Sequence, residues 1–284
     1  MNNIIFPIKT ELENFEIELK KVIASCDNFL SEDLNRFMFS SPKRLRPIFI
    51  FLFAKILKIE NSLVEKIAII TEIIHSASLI HDDIIDNEKI RRNNLTFSEK
   101  YNSKLAVLEG DLLLALALEE ISQTTLDISK IFSNRIKKTI QGEIKQNENL
   151  NKIDIEFYFE KTLNKTANLF LAGLEALFTL KVKNDNLFEF MKNYSMAFQI
   201  KNDIDNFKKN SSDYINGNYT LPVIYFFLEN KSLDNFQNNA DFYIKKANNE
   251  VENYIKKALD ALDNIENSKY KNALIDLSKH LLRS

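Results

Sequence analysis

IAIITEIIHSASLIHDDIID, residues 67–86, decides the fold class of this chain. From Ile67 to His81 the only formally charged residue is Glu72, and apolar side chains recur on almost every face. Such a helix is enclosed by other helices. LLLALAL, residues 112–118, reads in the same way. Working outward, apolar residues return at three- and four-residue spacing through Glu11 to Leu30, Pro47 to Leu57, Leu63 to His81, Leu105 to Ile121 and Ile128 to Ile144. The same spacing continues through Ile155 to Leu180, Leu187 to Phe207, Leu221 to Leu228 and Phe242 to Leu262. No convincing strand stands between them. The polar, Asn- and Lys-rich stretch from Asn230 to Asn249 carries no motif.

Composition agrees. The 284 residues include only 4 Gly and 4 Pro, too few for the tight turns of a sandwich, barrel or propeller. With 45% hydrophobic residues and 22 Phe, a large interior is expected, and no Pro/Gly/Ser-rich linker divides it. The expectation is an all-α bundle forming a single domain over residues 1–284. The 38 basic and 40 acidic side chains leave a net charge of −2, which gives no field for a nucleic-acid partner. Cys26 is the single cysteine, so no intramolecular disulfide or Cys-based zinc cluster forms; a reducing, cytoplasmic location is the default. No membrane span or secretory signal is legible.

Three carboxylates, Asp82, Asp83 and Asp86, end the apolar helix. At 3.6 residues per turn Asp82 and Asp86 lie ~40° apart and ~6 Å along the axis, on one face. All-oxygen donors of this kind suit Mg²⁺, which is shared between one or two carboxylates and substrate phosphates. A helix end salt-bridged to Arg91 and Arg92 would give the same sequence. KRLRP, residues 43–47, sets Lys43, Arg44 and Arg46 where Pro47 is expected to begin a helix, a candidate diphosphate cradle at free backbone N–H groups. A third polar cluster, FQIKNDIDN (198–206), closes another apolar helix. His75 precedes Asp82 by nearly two turns, and Lys165-Thr166 interrupts an otherwise apolar helix.

Together these segments resemble the trans-isoprenyl diphosphate synthases of the polyprenyl synthetase family. KRLRP resembles its basic segment, HDDIIDNEKIRRN its first aspartate-rich region, Lys165 to Ala167 its allylic-site lysine motif, FQIKNDIDN its second aspartate-rich region, and Asn216 to Pro222 the segment that follows. The matches run in the family's order from about residue 43 to 222.

The resemblance implies the isoprenoid-synthase type of helical bundle, with a central cavity, working as a homodimer. It condenses isopentenyl diphosphate with an allylic diphosphate. On this reading Asp82 and Asp86 hold Mg²⁺ on the allylic diphosphate, with Asp83 in support. Arg91 and Lys165 contact that diphosphate, with Thr166 beside them. Lys43, Arg46, His75 and Arg92 grip isopentenyl diphosphate, and Gln199, Asn202 and Asp203 belong to the second metal-binding wall. Small residues at Ala77 and Ser78, with Ile74 and Phe132 in the same pocket, imply a long tunnel and an octaprenyl-like product. Peripheral membrane association is compatible with releasing so apolar a product.

Several positions depart from the family. Asn202 and Asn206 stand where acids are usual, Asn218 where a lysine is, Pro42 and Asn93 where glycines are. Amides ligate through oxygen without negative charge, so metal binding at the second wall weakens. Alternatives therefore stay open: a short-chain farnesyl or geranylgeranyl synthase, a weakly active subunit of a heteromeric synthase, a class I terpene cyclase, or a non-enzymatic helical interaction protein.

Overall fold

Helix α5 (Leu63–Ile85) is the element around which the first half of the chain is arranged. The computed structural model describes residues 2–26, 29–40, 42–92, 94–149, 152–209 and 219–283. Of the residues named above, Asn93 and residues 216–218 lie outside the described residues.

The chain divides into two compact units, one of residues 2–131 with 176–181 and one of 132–175 with 182–284. In the first, α1 (Asn2–Ile5), a 3₁₀ turn (Phe6–Ile8), α2 (Lys9–Ala24), α3 (Ser31–Phe39) and α4 (Leu45–Ile56) precede α5. A hairpin of β1 (Ile90–Arg91) and β2 (Asn94–Leu95), α6 (Phe97–Lys100) and α7 (Ser103–Ser122) follow. The helix α8 (Leu126–Glu148) begins there. In the second unit come α9 (Ile155–Thr162), a π turn (Leu163–Ala167), α10 (Asn168–Phe178), α11 (Asp185–Lys209), α12 (Leu221–Asn230), α13 (Phe236–Ala261) and α14 (Lys269–Arg283). The all-α class is observed. Where no strand was expected, two two-residue strands pair Ile90 with Leu95 and Arg91 with Asn94. Two pairs are too short for any alternation to register.

In the first unit α5 packs on α7 and α4. Every residue of α4 from Pro47 to Ala54 is buried, and Phe49 stacks on Phe53 with centroids 5.8 Å apart. Each such side chain stabilises the fold by roughly 1.5–3 kcal/mol relative to exposure. In the second unit α11 packs on α13. The Asn-rich start of α13 is helical because Tyr243, Ala247, Val251, Ile255 and Leu262 form a buried stripe while the amides face outward. Among the described residues no helix is long and apolar enough to cross a membrane.

One buried group opposes this packing. Glu109 of α7 is 2% exposed, and its Oε1 meets no hydrogen-bond donor. Burial raises its pKa. The folded state thus binds the proton more tightly than the unfolded chain, and stability falls as pH rises from about 4.3, the unfolded value, through the raised one. Glu109→Gln should remove that fall. Urea denaturation should find it more stable than wild type by about 1–2 kcal/mol at pH 8 and nearly equal at pH 4.

Candidate active site

The end of α5 is shaped by where its carboxylates find partners. The Asp86 N–H donates to the Asp82 carbonyl at 2.8 Å, and the Glu88 N–H to the Asp83 carbonyl at 2.9 Å. Asn87 then turns the chain at φ 54°. The hairpin that follows returns Arg91, whose Nε and Nη2 both reach Oδ1 of Asp83 at 2.5 Å. Burial raises the Asp83 carboxyl to about 6, and the guanidinium limits the rise. Asp83 and Arg91 thus form the salt-bridged helix end that the sequence also allowed. Asp82 is half-buried and Asp86 exposed, one turn apart on the side of α5 where His75 and Ser78 are also partly open.

The basic segment divides into structural and open residues. Helix α4 starts at Leu45, two residues before the expected start at Pro47, and Arg46 lies inside it. Proline lacks an N–H that its first turn does not need, and the chain breaks instead at Arg44, at φ 48°. The Arg44 guanidinium is 7% exposed, bonds Glu16 through Nε at 2.6 Å and Nη2 at 3.0 Å, and gives Nη1 to Glu72 at 2.8 Å. It also lies 5.7 and 5.4 Å from the ring centroids of Phe15 and Phe39. Glu72, the lone charge of the enclosed segment, is there to receive it. Lys43 remains exposed. Burial lowers the Arg46 guanidinium to about 10, with Glu72 opposing. Burial also holds His75 well below the usual imidazole range, and the charges of Arg46, Arg92, Arg91 and Arg44 push the same way. Of these four, Arg44 is held by Glu16 and Glu72 and Arg91 by Asp83.

In the second unit the π turn Leu163–Ala167 carries Lys165 and Thr166. Such bulges widen a helix by one residue and recur at functional positions. Asn164 of this turn approaches α8 so closely that a Cβ on Gly142 would lie 3.2 Å from its Cβ. The next residue, Glu143, ion-pairs Lys165 at 2.8 Å. The Thr166 hydroxyl donates to Oε1 of Gln199 at 2.6 Å, Gln199 Nε2 donates to Asp203 at 2.7 Å, and the Tyr158 hydroxyl donates to the other Asp203 oxygen at 2.7 Å. Burial raises the Asp203 carboxyl against the opposing effect of Lys161, Tyr158 and Gln199. Asn202 is partly buried and Asn206 exposed. Sequence reasoning missed Glu143 and Tyr158. Neither stands in an aspartate-rich segment, and only the lone Gly142 inside a helical pattern hinted at a close approach.

Among the described residues no group of three or more His, Cys, Asp or Glu is placed to hold an ion. Those residues therefore build no all-protein cage. A pair of carboxylates one turn apart on a partly open face does fit a hard cation that takes its remaining ligands from phosphate and water. Asp82 and Asp86 would hold it.

The fold is the all-α fold of the isoprenoid synthases. The family model for polyprenyl synthetase matches residues 27–262, and the chain belongs to that family. It is 32% identical to a prenyl transferase of Cyanophora paradoxa over 99% of this chain and 98% of that protein. It is 30% identical to heptaprenyl diphosphate synthase component 2 of Geobacillus stearothermophilus, over 77% of this chain and 73% of that one. The crystal structure of heptaprenyl diphosphate synthase from Staphylococcus aureus superposes with a TM-score of 0.88 at 27% identity, covering 98% of both chains.

The division within KRLRP is testable. Arg44→Leu removes the guanidinium hydrogen-bonded to buried Glu72 and should cost about 3–5 kcal/mol in urea denaturation. Lys43→Ala should stay within about 0.5 kcal/mol of wild type.

Proposed function

We propose that the chain is a Mg²⁺-dependent prenyltransferase that condenses isopentenyl diphosphate head to tail with an allylic diphosphate, yielding a polyprenyl diphosphate. The observation that carries this reading is the Asp82 and Asp86 pair at the end of α5, in the same unit as Arg46, Arg91 and Arg92. Mg²⁺ bound there would neutralise charge developing on the departing diphosphate as the allylic C–O bond breaks.

The chain's own groups do the rest. Asp83 fixes Arg91 towards the allylic diphosphate. Lys165 binds diphosphate by exchanging Glu143 for phosphate oxygens, with Thr166 and Gln199 holding the π turn in place. Lys43, Arg46, His75 and Arg92 bind isopentenyl diphosphate, so that its double bond is held near the allylic carbon; this proximity is worth several kcal/mol of the barrier. Apolar walls keep water from the cation until attack forms the new C–C bond and a proton leaves. Asn202 and Asp203 form the second metal-binding wall, where Asp203 acts chiefly by ordering Gln199.

The product is of medium or long chain, octaprenyl-like, in keeping with the heptaprenyl synthases to which the chain is similar. Among the residues considered for length control, Ala77 is 0% exposed, as is Phe132, and Ile74 is 5% exposed. Ser78 is partly open, one turn before Asp82. Length control is therefore assigned to Ser78. The working form is a homodimer, favoured by Leu108 and Leu118 of α7, which are 62% and 58% exposed. A heteromeric synthase is the second reading, favoured by the likeness to a protein named component 2 and by the amides at Asn202 and Asn206.

The test is incubation of the purified chain with isopentenyl diphosphate, farnesyl diphosphate and Mg²⁺, with the products sized and the assembly state read by light scattering. Elongation is expected, and Asp82→Ala should lower kcat at least about 10²-fold with an unchanged helical circular dichroism spectrum. No elongation with any allylic primer, alone or with a second chain, would overturn the reading. Ser78→Phe should shorten the product by at least one isoprene unit; an unchanged length distribution would remove Ser78 from that role.

A further inference from the structure

His81 stands immediately before Asp82, yet none of the roles above uses it. Its imidazole turns towards α7, where Nε2 lies 3.3 Å from Oδ1 of Asp111 and 3.5 Å from the carbonyl oxygen of Val107. Between those two residues is Gly110, buried inside a 20-residue helix. Glycine is a poor helix former, and this one needs an explanation. The ring supplies it. A Cβ at Gly110 would lie 2.3 Å from His81 Nε2, 2.7 Å from Cδ2 and 2.9 Å from Cε1, far inside the ~3.5–4.0 Å of ordinary contact. The imidazole fills the space where any other residue would carry its side chain.

The seat lies where α5 most needs it. Helix ends lack half of their backbone bonds and fray first. The last turn of α5 is followed directly by the left-handed Asn87, so Asp82 and Asp86 sit at such an end. We infer that His81 is a positioning residue: seated on Gly110 and flanked by Asp111, it clamps the carboxylate-bearing turn of α5 onto α7. This rests on the proposed role of Asp82 and Asp86. A displacement of that turn by about an ångström would misplace both carboxylates, with a rate cost of up to about 10²-fold.

The experiment compares wild type, His81→Ala, Gly110→Ala and the double variant. The ring is the mobile end of a side chain that is 28% exposed, so in Gly110→Ala it swings into solvent and the fold survives. Two readouts are taken. Amide hydrogen exchange of ligand-free protein follows the N–H groups of Asp86 and Glu88. Elongation assays give the Mg²⁺ concentration for half-maximal rate and the KM for isopentenyl diphosphate.

Each single variant should speed exchange at both amides and raise the Mg²⁺ requirement, each by about tenfold, leaving the isopentenyl KM within about twofold. The double variant should match His81→Ala, because no ring remains for the new methyl group to displace. The inference is overturned if exchange in His81→Ala equals wild type, if the Mg²⁺ requirement stays put while exchange changes, or if the two single effects multiply in the double. A wild-type chain that shows no elongation, with exchange responding as expected, upholds the clamp and overturns the catalytic reading instead.

Discussion

Charge placed on an apolar helix has to be answered by opposite charge, and on α5 each answer draws in another part of the first unit. Glu72 takes Arg44, which brings the start of α4 and, through Glu16, helix α2. Asp83 takes Arg91, which brings the hairpin. Removing one partner from such a pair leaves an uncompensated ion in a low-dielectric interior, a loss much larger than the net worth of the pair itself. The order of helices around α5 is thereby tied to the carboxylates of Glu72 and Asp83. Asp82 and Asp86 are delivered to an open face by a framework that their neighbours hold in register.

The second unit uses hydrogen bonds for the same purpose. Tyr158 on α9, Thr166 in the π turn, and Gln199 and Asp203 on α11 form one chain of donors and acceptors. A buried network is worth having only when every member is satisfied, and here the carboxylate accepts from two sides. Glu143 meanwhile gives Lys165 an anionic partner. A lysine partly withdrawn from water would otherwise lose hydration without compensation.

Much of the architecture was legible in the sequence. Enclosed apolar segments such as residues 67–80 and 112–118 leave little choice but helices, and both are helical. What escaped has physical reasons. Helix α3 is short and mostly polar, and α14 shows its apolar stripe, Ala273, Leu274, Leu277 and Leu281, only once its neighbours are known. Amides hid the first turns of α13. Within the site, residue types announced the clusters but not their pairings. KRLRP looks uniformly basic, yet Arg44 is a structural ion and Lys43 lies in solvent. The partners of Lys165 and Asp203, namely Glu143 and Tyr158, lie 22 and 45 residues away along the chain.

The π turn has one further consequence. An extra residue in a helix rotates everything after it by about 100°, so α9 and α10 present different sides although they are continuous in sequence. Deleting one residue there would restore regular α-helical bonding and would also carry Lys165 off its bearing. Selection for heat resistance alone would tend to straighten this segment, whereas selection for turnover would keep it crooked.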